Sequence, residues 1–180
     1  MELYEKKISS KQIFDGKIIK LFVDEVELPN GQIATRELVR HPGAVCVVPV
    51  TDSGEVVMVR QFRYPYGEVL LEIPAGKLEP GEDPYEAVKR ELEEESGAVA
   101  GNIVHLGEIY TTVALFDEKI QLYIATDLKF TNAHPDGDEF LESTKIKLTD
   151  LVKMVVGGEI KDAKTQIAIL RAEKYLEENK

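Results

Sequence analysis

The feature that most restricts how this chain can fold is the stretch from Gly76 to Ala98, G-K-L-E-P-G-E-D-P-Y-E-A-V-K-R-E-L-E-E-E-S-G-A. Its second half predicts a helix with defined ends. Asp83 can cap the N-terminus, Pro84 suits the first helical position, Glu86 stands where a capping-box carboxylate belongs, and Gly97 is a C-terminal stop. At about 100° per residue, Tyr85, Val88 and Leu92 gather on one apolar stripe. Glu86, Lys89, Arg90 and Glu93 form the polar outer face, with Glu86–Arg90 and Lys89–Glu93 as candidate pairs. Glu91 and Glu95 are i,i+4 neighbours bordering the stripe, and Glu94 lies three residues from Glu91. Like charges crowded in this way destabilise a helix by about 0.2–0.5 kcal/mol per pair. A hard divalent cation that prefers oxygen ligands, such as Mg²⁺, relieves that repulsion. The alternative is an acidic solvated face. Against it, the outer face is already complete without these glutamates, and the loop Gly76–Gly81 brings the chain tightly up to the helix start.

The rest of the composition narrows the function classes. A chain of 180 residues, 43% hydrophobic and 31% charged, is long enough for a proper core. The formal net charge of −11, without a Lys/Arg run, disfavours nucleic acid as a partner. The single cysteine, Cys46, sits in the apolar run A-V-C-V-V and reads as a buried structural thiol. There is no apolar run of membrane-spanning length and no leader pattern, so the expectation is a cytoplasmic protein without a membrane partner.

Along the chain, residues 1–40 read as a separate antiparallel β unit, with Lys17–Leu28 and Gln32–Arg40 flanking the turn Pro29-Asn30-Gly31. Two or three strands alone are marginal, so this unit is expected to pack on something, either the main domain of residues 41–180 or a second chain. Ala44–Val50, Glu55–Gln61, Val69–Ile73, Ile103–Thr112, Lys119–Ala125 and Ser143–Leu148 read as strands. Helices are expected at about 149–156 and 162–178, with Ile167, Leu170 and Tyr175 in the core of the second. Phe62–Gly67 reads as an aromatic-rich loop carrying Arg63. Strands interrupted by a few helices suggest an α/β/α sandwich around a mixed sheet.

Gly76, Glu82 and Arg90-Glu91-Leu92-x-Glu94-Glu95-x-Gly97 match the signature of the Nudix hydrolases, GX5EX7REUXEEXGU with U apolar, Ala98 filling the last position. The flanks V-R-Q-F-R-Y-P from Val59, L-L-E-I-P-A-G-K from Leu70, R-E-L-V-R-H-P-G-A-V from Arg36 and D-E-F-L-E from Asp138 resemble the ADP-ribose pyrophosphatase branch across essentially the whole chain. The resemblance implies a Nudix α/β/α fold, cleavage of ADP-ribose to AMP and ribose 5-phosphate, and a homodimer whose N-terminal strands are exchanged. It also implies Mg²⁺, with Mn²⁺ as an alternative, held by Glu91, Glu94, Glu95 and the carbonyl of Ala75. Glu91 and Glu95 are counted with the catalytic set. Glu82 is expected to support the site, and Arg90 to pair with Glu86 or Glu94. Glu139 matches the family's late-loop base, with Glu142 in reserve. Arg36 and Arg63 match arginines that bind the substrate's phosphates and ribose, the planar fork suiting oxyanions, although a surface ion pair is the competing role. Tyr64, like Tyr66, could stack on adenine or serve the core. His41, His105 and His134 show no ligand spacing. One departure stands out: the branch carries a Ser-Pro-Gly-type loop where this sequence has Thr112-Val113-Ala114. That widens the substrate class to other nucleoside diphosphate sugars or dinucleotides. A non-catalytic nucleotide-binding module is the alternative outside enzymes.

Overall fold

The computed structural model describes residues 2–134, 137 and 140–179. The chain divides into two compact units, Met1–Gly43 with Tyr110–Lys119, and Ala44–Ile109 with Ile120–Lys180. In the first, β1 (Lys6–Asp15), β2 (Lys20–Glu27) and β3 (Ile33–Arg40) form an antiparallel sheet in the order β1-β2-β3. Gly31, at φ 79°, makes the hairpin turn between β2 and β3, donating its N–H to the Leu28 carbonyl at 2.8 Å. The Tyr110–Lys119 segment joins the far edge: Val39 N–H donates to Leu115 O at 2.8 Å and Asp117 N–H to Val39 O at 3.1 Å. Every residue of β1 is solvent-exposed, including Ile8, Ile13 and Phe14.

The second unit contains β4 (Ala44–Pro49), β5 (Glu55–Arg63), β6 (Glu68–Glu72), β7 (Ala75–Lys77), α1 (Pro84–Ser96), β8 (Ala98–Tyr110), β9 (Lys119–Phe130), β10 (Leu141–Lys147), α2 (Leu148–Val156) and α3 (Ala163–Glu178). A four-stranded sheet runs β7-β4-β9-β8, with β4 parallel to β9 and antiparallel to β7. A three-stranded sheet runs β10-β5-β6. Strand β4 is buried at every position, and its side chains alternate between two cores. Val45 and Val47 meet Ala87, Val88 and Leu92 of α1. Cys46 and Val48 meet Leu151 of α2 and Ala168 and Ile169 of α3 on the other face. That is the α/β/α sandwich over a mixed sheet. Each fully buried aliphatic side chain contributes about 1.5–3 kcal/mol of transfer free energy, so a strand buried on both faces ties the two layers together. Burial of Cys46 pushes its thiol pKa up to about 12, which makes it an inert apolar residue.

Helix α1 has the predicted ends. Asp83 accepts from the N–H groups of Tyr85 and Glu86, and Gly97 closes the helix in the left-handed region at φ 66°. Three expectations need correction. Tyr85 is 45% exposed; the buried face consists of Ala87, Val88, Glu91, Leu92 and Glu95, turned toward β4 by the sheet it packs on. The Glu86 carboxylate accepts from Lys89 (2.9 Å) in place of Arg90. Leu170 is 41% exposed, because α3 sits on Thr165, Ala168, Ile169 and Ala172.

Gly97 carries a further constraint. A side chain there would meet the Thr131 carbonyl oxygen at 2.6 Å and the Ala133 nitrogen at 2.8 Å, both main-chain atoms. Gly97→Ala should therefore cost about 1–3 kcal/mol, from left-handed strain and overpacking together. A lowered urea midpoint with unchanged slope checks this; an unchanged midpoint means the segment after β9 yields freely.

Candidate active site

The site is built where β7 meets α1. The β4–β7 pairing places Ala75 beside Cys46 and Gly76 beside Val45, so the main chain just before the Gly76–Gly81 loop is fixed by the sheet. Glu95, 4% exposed, accepts the Ala75 N–H on Oε2 at 2.9 Å. Glu91, 8% exposed, lies against Gly76 so closely that any Cβ there would coincide with its carboxylate. Gly76 is thus required by close approach, not by its backbone angles.

Arg90 organises the surrounding charges. Its Nε and Nη2 donate to the two oxygens of Glu82 at 3.0 and 3.1 Å, and its Nη1 donates to Glu91 at 2.8 Å and Glu94 at 3.0 Å. The fork geometry of a guanidinium permits this sharing. The Glu82 bonds hold the Arg90 pKa above its ordinary value, and Arg90 holds Glu82 below the usual carboxylate range. Arg90 therefore belongs to the acidic edge and not to the outer face. It pairs with Glu94 as one reading had it, and with Glu82 and Glu91 where Glu86 was the other candidate. One guanidinium shared by three carboxylates leaves these four side chains with a net negative charge.

The donor chemistry suits a hard divalent cation: carboxylate oxygens of Glu91, Glu94 and Glu95 on one helix edge, with the Ala75 main chain adjacent. Among the described residues, no three His, Cys, Asp or Glu side chains already converge as a ligand group in this arrangement; Arg90 draws Glu91 and Glu94 toward itself, and Glu95 turns to the main chain.

Sequence reasoning missed a second buried network beside this edge. Glu72, 2% exposed, accepts from Arg63 Nε and Nη2, both at 2.7 Å, and from the Lys164 ammonium, which also donates to Asp162 at 2.9 Å. The signal was a lone glutamate in an otherwise apolar strand, V-L-L-E-I. Burial alone would raise the Glu72 pKa, but Arg63 and Lys164 overturn that and leave it lowered. The bonds to Glu72 hold Arg63 above its ordinary pKa.

Tyr64 and Tyr66 are 87% and 74% exposed, so neither serves the core. Arg36, on β3 of the first unit, grips Glu5 through Nε (2.9 Å) and Nη2 (2.6 Å). Glu142 pairs with Arg60 at 3.1 Å. Glu139 lies outside the described residues. Among the histidines, His105 bonds Gln121 at 2.7 Å and His41 approaches Glu118 at 3.3 Å.

Comparison with known proteins decides the family. The sequence profile of the NUDIX domain matches residues 40–165. This chain is a Nudix hydrolase. Residues 5–39 match the nucleoside diphosphate sugar hydrolase N-terminal domain. The Nudix chain is 46% identical over 169 residues to the ADP-ribose pyrophosphatase of Bacillus subtilis (strain 168), covering 93% of this chain and 91% of that protein. It is 46% identical over 167 residues to the methanol dehydrogenase activator of Bacillus methanolicus, covering 92% and 90%. A solved structure described as an ADP compounds hydrolase superposes with a TM-score of 0.87 at 21% identity, covering 99% of this chain and 98% of that one, and shows the same fold. Nudix hydrolases as a family depend on metal.

Two outcomes follow from the geometry. Gly76→Ala should fold with a nearly unchanged urea midpoint, because the obstructing atoms end a flexible side chain. Turnover should fall roughly 100-fold as Glu91 is displaced; full turnover would show that the Glu91 position is not critical. For Glu72, the lowered folded pKa means the folded state binds fewer protons than the unfolded chain, so its stabilisation is present above the ordinary value of 4.5 and is lost as pH falls through the lowered one. Glu72→Gln should cost about 3–5 kcal/mol at neutral pH, with a shallower loss of stability between pH 4.5 and acid than the wild type. Parallel acid-unfolding curves would contradict this.

Proposed function

We propose that this chain hydrolyses the diphosphate of ADP-ribose to AMP and ribose 5-phosphate, with water entering at one phosphorus as the bridging P–O bond breaks. The observation that carries the reading is the pair of buried carboxylates, Glu91 and Glu95, packed against the main chain at Gly76 and Ala75. Burying two carboxylates is costly, and here Arg90 and the Ala75 N–H are arranged to hold them, which a surface helix does not need. Near-full-length similarity to the Bacillus subtilis ADP-ribose pyrophosphatase supports the substrate.

In this reading Glu91, Glu94 and Glu95, with the Ala75 carbonyl, hold Mg²⁺, or Mn²⁺ in its place. When bound, the cation neutralises diphosphate charge and acidifies water. Arg90 holds Glu91 and Glu94 on the reactive edge, and Glu82 holds Arg90. Glu139, which is not counted among the ligands, takes the proton from the attacking water. Arg36 and Arg63 bind the substrate's phosphates and ribose; with Nε and Nη2 committed to Glu72, Arg63 offers Nη1. Tyr64, exposed on the turn after β5, stacks on the base. The N-terminal strands, as a domain of residues 1–40, make the homodimer: the wholly exposed β1 carries Ile8, Ile13 and Phe14, which need covering.

A second reading, another nucleoside diphosphate sugar or a dinucleotide, is favoured by Val113, 79% exposed where the branch has proline. One experiment separates them. Purified protein with Mg²⁺ is given ADP-ribose, other nucleoside diphosphate sugars and dinucleotides, and products are followed by chromatography. ADP-ribose should show the highest kcat/KM, and Glu95→Gln should lower its kcat by several powers of ten, each costing about 1.36 kcal/mol, while remaining folded. Preference for another nucleotide overturns the substrate, and near-normal turnover by folded Glu95→Gln overturns the site.

A further inference from the structure

The N-terminal turn of α3 is tied to the strand that leads into the active site, although some ninety residues separate them. Thr165 is fully buried. Its hydroxyl donates to Asp162 Oδ2 at 2.6 Å and accepts the Ile73 N–H at 3.1 Å. Asp162 is the N-cap of α3, also accepting the Thr165 N–H at 3.0 Å. Both hydroxyl functions are therefore used, and the acceptor direction is fixed by the donor bond. Two residues beyond Ile73, the Ala75 N–H bonds Glu95, and between them the Pro74 carbonyl accepts from Val47 N–H at 3.0 Å. Glu72, just before Ile73, is clamped by Lys164 from the same turn.

We propose that Thr165 is a positioning residue for the hydrolytic site. By anchoring the main chain at Ile73, it adds a second hold, beside the β4 pairing, on the direction of the Pro74–Gly76 segment, and with it on the Ala75 carbonyl and the carboxylate of Glu95. A proline at 74 passes the constraint on, since its fixed φ leaves the segment one fewer soft torsion. The Thr165 hydroxyl is committed to Asp162 and Ile73, and Thr165 lies far from the signature in sequence. It acts on Ala75 and Glu95 as outer-shell partners act on metal ligands, whose loss commonly costs 10–100-fold in metal affinity or activity. The role rests on the reading that Ala75 and Glu95 hold the cation.

The test uses the full chain and Mn²⁺ as the probe, with free ion followed by electron paramagnetic resonance and turnover measured on ADP-ribose. Thr165→Val, matched in shape but without the hydroxyl, should weaken Mn²⁺ binding and lower kcat by about 10–100-fold, with KM within about twofold. Thr165→Ser, which restores the hydroxyl, should recover both. A folded Thr165→Val protein with wild-type Mn²⁺ affinity and kcat overturns the proposal, as does Thr165→Ser failing to recover them. Glu95→Gln, run alongside, separates the two layers. If Glu95→Gln binds Mn²⁺ normally, the ligand assignment fails; if it is impaired and Thr165→Val is not, the positioning role fails. A measurement on the wild type makes the proposal independent of variant folding. The Ile73 amide resonance should shift on Mg²⁺ addition with the same midpoint as Ala75, and an Ile73 amide unmoved at saturation overturns the coupling.

Discussion

The packing of Glu91 and Glu95 against main chain at the β7–α1 junction is the constraint through which strand, loop and helix form one site. Two carboxylates in a largely dry position need hydrogen-bond partners. Glu95 finds one in the Ala75 N–H and Glu91 one in Arg90. Each partner exists only because of another element. The Ala75 N–H is presented because β7 is paired with β4, and β4 is held by hydrophobic layers on both faces. Arg90 reaches Glu91 and Glu94 while Glu82, from the loop before α1, holds its other nitrogens. The loop, the helix and the strand thus form one electrostatic unit standing on an apolar base.

A guanidinium placed in this way has a chemical consequence. Arg90 offsets part of the repulsion among the glutamates and keeps them together, yet it cannot neutralise them all. On the proposed reading, the remaining negative charge would favour a hard cation held by Glu91, Glu94 and Glu95, and such a cation would offset the charge of a diphosphate. An overall charge of −11 would otherwise repel such a substrate. The second network, Arg63–Glu72–Lys164–Asp162, lies beside the first and matches two cations with two carboxylates, of which Glu72 is buried.

Much of this was legible in the sequence because it is local. The caps at Asp83 and Gly97 follow from backbone chemistry within a few residues, and the spacing of Glu91, Glu94 and Glu95 follows from helical geometry. What escaped was non-local. Tyr85 has the right periodicity for the core, but β4 supplies the surface that selects the buried face, and it selects Ala87 and Glu91. The same holds for Leu170 on α3. Arg90 looked like an outer-face residue because its best partner, Glu82, precedes the helix. Glu72 was visible only as an oddity in an apolar strand, since Lys164 lies 92 positions away, and Thr165 gave no signal at all. Function was more legible than these details because the family signature samples the local part.

The direct measurement of the central claim is the anomalous diffraction of crystals grown with Mn²⁺ and a non-hydrolysable ADP-ribose analogue. The predicted result is manganese density bounded by the Ala75 carbonyl and the carboxylates of Glu91 and Glu95, with the analogue's diphosphate against it. Manganese bound elsewhere, with Glu91 and Glu95 still turned to Arg90 and the Ala75 N–H and the diphosphate away from α1, would contradict it.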